Sequence, residues 1–318
     1  MNNTYLTSRR EFLFLYDIKM GNPNGDPDEN RPRVLPDGTH YVTDVRLKRF
    51  IRDYLKSQGH EILVDTVEGK TTNLTGRVAA YLDANKIAKC QGTAIVDILL
   101  QSFIDARMFG SSFAFKEQDK WEPKPEPKTM TGAIQLQHGE VKHKSQEVDI
   151  YGTSVFGSDE TKSQGTFTSY FGLRYALIAF HGIANEHSAQ ISHLTDADYS
   201  LMIDAMWKGI RSAGNTRTKR GQVPRLLVSI NYKPKTEFQF GNLMDYVSMI
   251  PASDKPEKEW ASPDDFKIDL GKLVQRVTER NDRIQSVDFC VSPDIVLVDP
   301  IPDTWNRFDL DGDVSGAK

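Results

Sequence analysis

Hydrophobic and polar positions alternate with different periods along this chain, and the changes of period mark its elements. Glu11 to Lys19 carries Phe12, Leu13, Phe14, Leu15 and Tyr16 with no polar alternation, which predicts a strand buried on both faces. Gly21 to Asp28 breaks it with turn residues, two prolines and an Asn-Gly pair. Thr43 then caps a helix whose first turn holds Asp44. Leu47, Phe50, Ile51, Tyr54 and Leu55 form one apolar stripe on it, and Gly59 ends it.

Residues 60–128 are less regular. Short helical patterns occur at Gly76–Ala84 and Ala94–Phe103, and the Pro-rich segment 120–128 excludes regular structure. The span reads as an insertion. A short strand is expected at Thr131–Gln137. Residues 138–172 have little periodicity and are too long for a plain loop, which points to a functional hairpin or arm. A strand at Leu173–Asn185, a helix at Asp196–Ser212 capped by Thr195, and a strand at 224–232 follow. Stripped of insertions, the order is strand, helix, strand, strand, helix, strand. This predicts an α+β fold of the ferredoxin-like βαββαβ kind, the frame of RNA-recognition motifs. Residues 233–285 are mixed and polar, Val287–Val298 adds one or two strands, and the tail from Asp309 is expected to be disordered.

Composition changes this picture little. The 318 residues suffice for a large core, and 38% apolar with 26% charged is ordinary for a globular protein. The sequence has no apolar run long enough to span a membrane, and residues 1–12 lack an apolar signal core, so a cytoplasmic location is expected. Cys90 and Cys290 match no metal spacing and are expected to be buried, reduced thiols.

The net charge of −4 argues weakly against a nucleic-acid ligand, but local clusters matter more. Asp44 to Lys56 holds five Lys or Arg (Arg46, Lys48, Arg49, Arg52, Lys56) against two Asp, a local net charge of +3. Few carboxylates interleave there, so the face could straddle phosphates; a solvated helix surface is an even alternative. The loop at 22–26 can present N–H groups to phosphate, Asp26 and Asp28 could instead hold a divalent metal, and a plain turn explains the loop as well. Arg217, Lys219, Arg220 and Arg225 form a third cluster, with a solvated loop as its alternative. The excursion 138–172 mixes cations with Val155, Phe156 and Phe167, apolar groups able to wedge between bases. His181, in an apolar strand, reads as a satisfied core residue. No hydrolase, nucleotide-loop or zinc motif is present.

The segment 14–55, with NPNGD and TDVRLKRFIRD, resembles the RAMP-type crRNA-binding backbone subunit of type I CRISPR Cascade complexes, most closely the subtype I-B/I-C branch. Weaker agreement continues through Arg107–Gly110, Thr131–Leu136 and the helix before residue 214, and fades after about 230. The resemblance implies a palm over 1–233, interrupted by a finger at 60–128 and a thumb at 138–172, with 234–318 as a C-terminal extension returning to the palm. It implies that Asn22, Asn24, Gly25 and Asp26 sit at a palm–RNA loop and that Thr43, Arg46, Lys48, Arg49 and Arg52 grip guide phosphates. Arg107 is carried over with its matching motif. Arg217, Lys219 and Arg220 are added on charge, and Val155, Phe156 and Phe167 are candidates for the thumb's base wedge. Implied partners are crRNA, the target DNA strand paired to it, further copies of the chain, and the other Cascade subunits: the 5′-handle-binding, large and small subunits and the crRNA-processing endonuclease. No cofactor, metal or membrane is implied, nor catalysis. Related type III subunits cut RNA with an Asp in a comparable loop, which leaves a metal-dependent RNA endonuclease using Asp26 as the alternative. A protein-interaction module with a basic helix is a second.

Overall fold

The computed structural model describes residues 5–310 except 88, 118, 154–166 and 217. In chain order its main elements begin with β1 (Arg10–Gly21), β2 (Tyr41–Val42), α1 (Asp44–Ser57), α2 (Leu74–Ala84), α3 (Ile95–Ser102) and α4 (Ile104–Phe109). Next come β3 (Gly110–Phe113), β4 (Lys128–Thr131), β5 (Ile134–Leu136), β6 (Gly139–Val141), β7 (Glu147–Thr153) and β8 (Phe167–Ala184). The chain continues through α5 (Glu186–Ser192), α6 (Asp196–Ser212), β9 (Gln222–Tyr232), β10 (Ser248–Pro251), β11 (Phe266–Asp269), α7 (Gly271–Glu279), β12 (Ile284–Val291) and β13 (Asn306–Arg307). This is an α+β fold, as the alternation of periods predicts.

A nine-stranded sheet runs in the order β13-β12-β9-β1-β8-β6-β2, with β5 and β7 also paired to β8. All its pairings are antiparallel except β12 with β13. β1 lies at the centre and is buried from Glu11 to Ile18. Its Phe12, Phe14, Tyr16 and Ile18 meet α1 and α6, through Leu47, Phe50, Ile51, Met202, Met206 and Trp207. Its Leu13 and Leu15 face the opposite way, where the C-terminal segment covers the sheet with Leu243, Trp260, Phe266 and Leu273. Two-sided burial is the reason no polar residue alternates along this strand.

The polar character of 233–285 hides this second layer in the sequence, because its apolar residues come singly on short strands and turns. Residues 63–130 carry a third cluster of their own, including Val78, Leu82, Leu99, Phe103, Phe113 and Trp121. The helices expected there occur as α2 and α3. Cys290 is buried, but Cys90 is only half-buried, at the margin of this smaller core.

β8 is longer than its apolar stretch suggests. Gly21 and Glu147 both pair with Leu173, from opposite edges of β8, so β7 continues the β5–β6 edge from the point where β1 stops on the other side. The β7–β8 ladder continues to Thr153 opposite Phe167. At about 3.3 Å per residue, this hairpin extends roughly 20 Å past the end of β1. The excursion is therefore a hairpin arm at its base. Val155 and Phe156 lie outside the described residues, as does most of the tail from Asp309.

Candidate nucleic-acid interface

Three stretches distant in sequence converge at the end of the sheet where β1 finishes: the loop 22–40, the start of α1, and the turn 216–221 between α6 and β9. Hydrogen bonds hold them together. Asn22 N donates to Thr218 O at 2.8 Å, and the Lys219 ammonium donates to the Asn22 carbonyl. The Asn22 side chain is fully buried, and its amide nitrogen donates to Asn30 O at 2.6 Å. Asn30 takes a left-handed backbone, φ 56°, which Asn tolerates better than most residues. A Cβ on Gly25 would lie 1.8 Å from Asn30 Oδ1, so any side chain there must displace Asn30.

Asn24 fastens the loop to the helix. Its Oδ1 accepts from Thr43 N at 2.9 Å and from Thr43 Oγ1 at 2.8 Å. Thr43 Oγ1 in turn accepts from Arg46 N and caps α1. Asp26 Oδ1 accepts from Asp28 N at 3.1 Å and Glu29 N at 2.9 Å. Its carboxylate thus closes the turn. Arg33 Nε donates to the Gly25 carbonyl. Arg31 pairs with Glu29 and Glu147 and lies 3.7 Å over the Phe171 ring, joining the loop to the arm. Reading the sequence missed both arginines. They stand in the same turn-rich segment, and a charge count extended to residue 33 finds them.

The cations of α1 do not form one free face. Arg52 is buried and pairs with buried Asp105 at 2.8 Å, and Asp105 also accepts from Leu63 N and Val64 N. Lys56 pairs with Asp65. Lys48 pairs with Asp44, and exposed Arg49 with Asp53. The expectation that too few carboxylates neutralise this face is therefore corrected: Asp65 and Asp105 come from the insertion, out of view of a local count. Arg107 makes a two-pronged pair with Asp198, at 2.9 and 2.7 Å, and bonds the Leu100 and Gln101 carbonyls. That geometry holds α4 against the capping box of α6.

Arg46 and Lys219 differ from these. Arg46 Nε is buried without a partner, and its guanidinium lies 4.4 Å from the Phe50 ring centre. Burial lowers its proton affinity. Burial, and then the charge of Arg46, bring Lys219 down to about 7. Two cations held close together and poorly solvated favour an anion between them. Arg220 is exposed beside them, and Arg217 lies outside the described residues. Arg225 is not part of this group: it is buried on β9, bonded to Asp17 and Asp294. The backbone of Phe167 ends the described arm opposite Thr153. His181 is buried as expected, but its Nδ1 has no partner.

The sequence profile described as CRISPR-associated protein Cas7 matches residues 8–271. The chain is 30% identical over 297 residues to the CRISPR-associated protein Cas7 of Haloferax volcanii, covering 88% of this chain and 86% of that protein. It is similar in fold to a chain of a solved "CRISPR RNA-guided surveillance complex, pre-nicking", with TM-score 0.50, 11% identity, and 95% and 96% of the two chains covered. A chain of another "CRISPR RNA-guided surveillance complex" gives TM-score 0.47 at 13% identity, over 94% of each chain. On the profile and the curated relative together, the chain belongs to the Cas7 family of CRISPR-associated proteins.

Proposed function

We propose that this protein is the crRNA-binding backbone subunit of a type I CRISPR surveillance complex, in which many copies line up along one guide and present it to target DNA. The convergence of the 22–40 loop, the α1 cap and the 216–221 turn at one sheet end carries this reading. It gathers Asn22, Asn24, Gly25, Asp26, Thr43, Arg46, Lys219 and Arg220 from three parts of the chain. Membership of the Cas7 family supports it.

The palm is the βαββαβ unit β1, α1, β5–β6, β8, α6 and β9, over residues 1–233. The spatial order β9-β1-β8-β6 supports it, being that of the ferredoxin-like arrangement. Residues 60–128 are the finger, 138–172 the thumb, and 234–318 an extension returning to the palm. Phosphates seat at Arg46, Lys219 and Arg220, and the loop 22–26 shapes the approach. Arg49 can exchange Asp53 for a phosphate at little cost, since exposed ion pairs contribute ~0–1 kcal/mol; Lys48 stands beside it. Arg52 and Arg107 serve the scaffold. The protein binds without cutting, and specificity comes from base pairing by the guide.

Purifying the protein from cells that express a repeat-spacer transcript tests this. A high 260/280 absorbance ratio and sequencing reads of processed repeat-spacer RNA are expected. Protein free of RNA, with no affinity for added guide RNA at low salt, would overturn the reading and favour a module that binds acidic proteins.

A further inference from the structure

The face of the sheet turned away from α1 and α6 has a gap in its cover. The strap 239–242 crosses it beside β5 and the end of β8, and a pocket of about 290 Å³ opens there. Gln135, Gln137, His181, Ile183, Gln239 and Asn242 line it, together with Leu136 and Gly241. No Asp, Glu, Lys or Arg lines it, so a charged ligand finds no counter-ion. Its polar groups are amides and an imidazole, and Leu136 and Ile183 supply its apolar surface.

The pocket is built on fixed parts. Buried Glu11 accepts from Phe240 N at 2.7 Å, from Gly241 N at 3.2 Å and from the Tyr232 hydroxyl, which bolts the strap to the sheet. His181 is 7% exposed. Its Nε2 stands 3.9 Å from Glu11 Oε1, beyond hydrogen-bond reach. Its Nδ1 has no partner. Burial keeps the ring neutral near physiological pH, lowering its proton affinity to about 4. Nε2 is the ring nitrogen nearest the Glu11 carboxylate, and a neutral ring protonated there would leave Nδ1 free to accept. A buried acceptor without a partner is costly, and a ligand donor would recover that cost.

We propose that this pocket holds one unpaired nucleobase, with an N–H of its edge donating to His181 Nδ1 and the Gln137 and Gln239 amides meeting its other polar atoms. Neutral donors and acceptors beside the apolar surface of Leu136 and Ile183 match a flat heterocycle better than a phosphate or a charged side chain. The position also fits, because RNA-recognition motifs receive bases on the sheet face opposite their helices. This inference rests on the reading of the chain as an RNA-binding subunit. It places a base-holding site at the far end of β1 from the phosphate cluster.

Saturation-transfer NMR on the purified full chain tests it with adenosine, cytidine and uridine, which carry no phosphate for the cationic cluster to attract. Ring protons of at least one nucleoside should take up saturation. The double variant Gln137→Leu and Gln239→Leu, at exposed positions that do not threaten folding, should weaken that binding about tenfold, the loss of one to two hydrogen bonds. His181→Phe should abolish it. No transfer with any of the three, while guide RNA still binds, overturns the pocket and leaves the proposed function standing. Nucleoside binding that both variants leave unchanged overturns it too. Association of copies without RNA, lost in the double variant with no nucleoside signal, would give the pocket to a neighbour's side chain instead.

Discussion

Asn24 Oδ1 accepts both the backbone N–H and the hydroxyl of Thr43, at 2.9 and 2.8 Å. One amide oxygen thus fixes the turn after the central strand to the N-cap of the cationic helix. It also sets where Arg46 stands, because Thr43 caps the helix through Arg46 N. Asn24→Ala removes two hydrogen bonds to a half-buried group and should cost about 1–2 kcal/mol, one to two net bonds. Guide RNA affinity should fall further than thermal stability, since the loop and the helix start lose their mutual register. Filter binding and a melt on the same preparation compare the two. Unchanged affinity with a lowered melting temperature would make Asn24 a purely structural residue.

The paired and unpaired cations should separate experimentally. Arg52→Ala leaves Asp105 buried without its counter-ion, although two N–H groups still satisfy it. Breaking a buried pair on one side costs about 3–5 kcal/mol, and the remaining bonds put Arg52→Ala at the low end. Arg107→Ala should behave alike through Asp198. Arg46→Ala should instead spare the melt, Lys219→Ala should lower it only by its one bond to the Asn22 carbonyl, and both should weaken RNA binding. Each should reduce the slope of log affinity against log salt by ~0.7 for every phosphate no longer neutralised. Salt titrations of the four variants decide. A salt slope unchanged in Arg46→Ala and Lys219→Ala would move the phosphate path elsewhere.

These pairings mark the limit of what the sequence makes legible. Local period and capping residues suffice for β1, α1, α6 and the arm, because each is decided by neighbours within a few positions. Asp105 lies 53 positions from Arg52 and Asp65 lies beyond the end of α1, so a window around α1 reports a bare +3 face; Asp198 stands 91 positions from Arg107. The C-terminal layer is hidden for a related reason. Trp260, Phe266 and Leu273 are deeply buried, but they stand in short elements whose polar neighbours dominate any average. Charge alone points to Lys219, but nothing local points to its hydrogen bond with Asn22 across 197 positions.

Lys219 makes RNA binding depend on pH. It titrates at about 7 in the folded chain, below the usual 10.5, because burial and Arg46 disfavour its charge. The unfolded chain binds this proton up to the ordinary lysine value. Between those limits it holds more protons than the folded chain, so this group makes stability rise with pH across the interval. RNA acts in the opposite direction. A phosphate favours the ammonium, so binding takes up a proton and affinity should increase as pH falls from 8 to 6. Lys219→Arg, charged throughout, should flatten that dependence while keeping affinity. Isothermal titration in two buffers of different ionisation heat would report the proton. Equal proton uptake by the wild type and Lys219→Arg would exclude Lys219 as its source.

Asp26 discriminates binding from cutting. Its Oδ1 accepts two backbone N–H groups, and an asparagine presents an amide oxygen at the same place. Asp26→Asn should therefore keep the turn and most of the RNA affinity, whereas Asp26→Ala opens the turn and lowers affinity about tenfold, one to two hydrogen bonds. A metal-bound catalytic carboxylate gives another pattern, because the neutral amide of Asp26→Asn withdraws the charge that holds a divalent ion. The measurement is guide RNA affinity for the three proteins, alongside incubation of each loaded complex with complementary RNA and magnesium. Affinity ordered wild type, then Asp26→Asn, then Asp26→Ala, with intact RNA throughout, is the outcome a turn-closing carboxylate requires. Magnesium-dependent cleavage by the wild type that is absent in Asp26→Asn would instead make this loop a nuclease site.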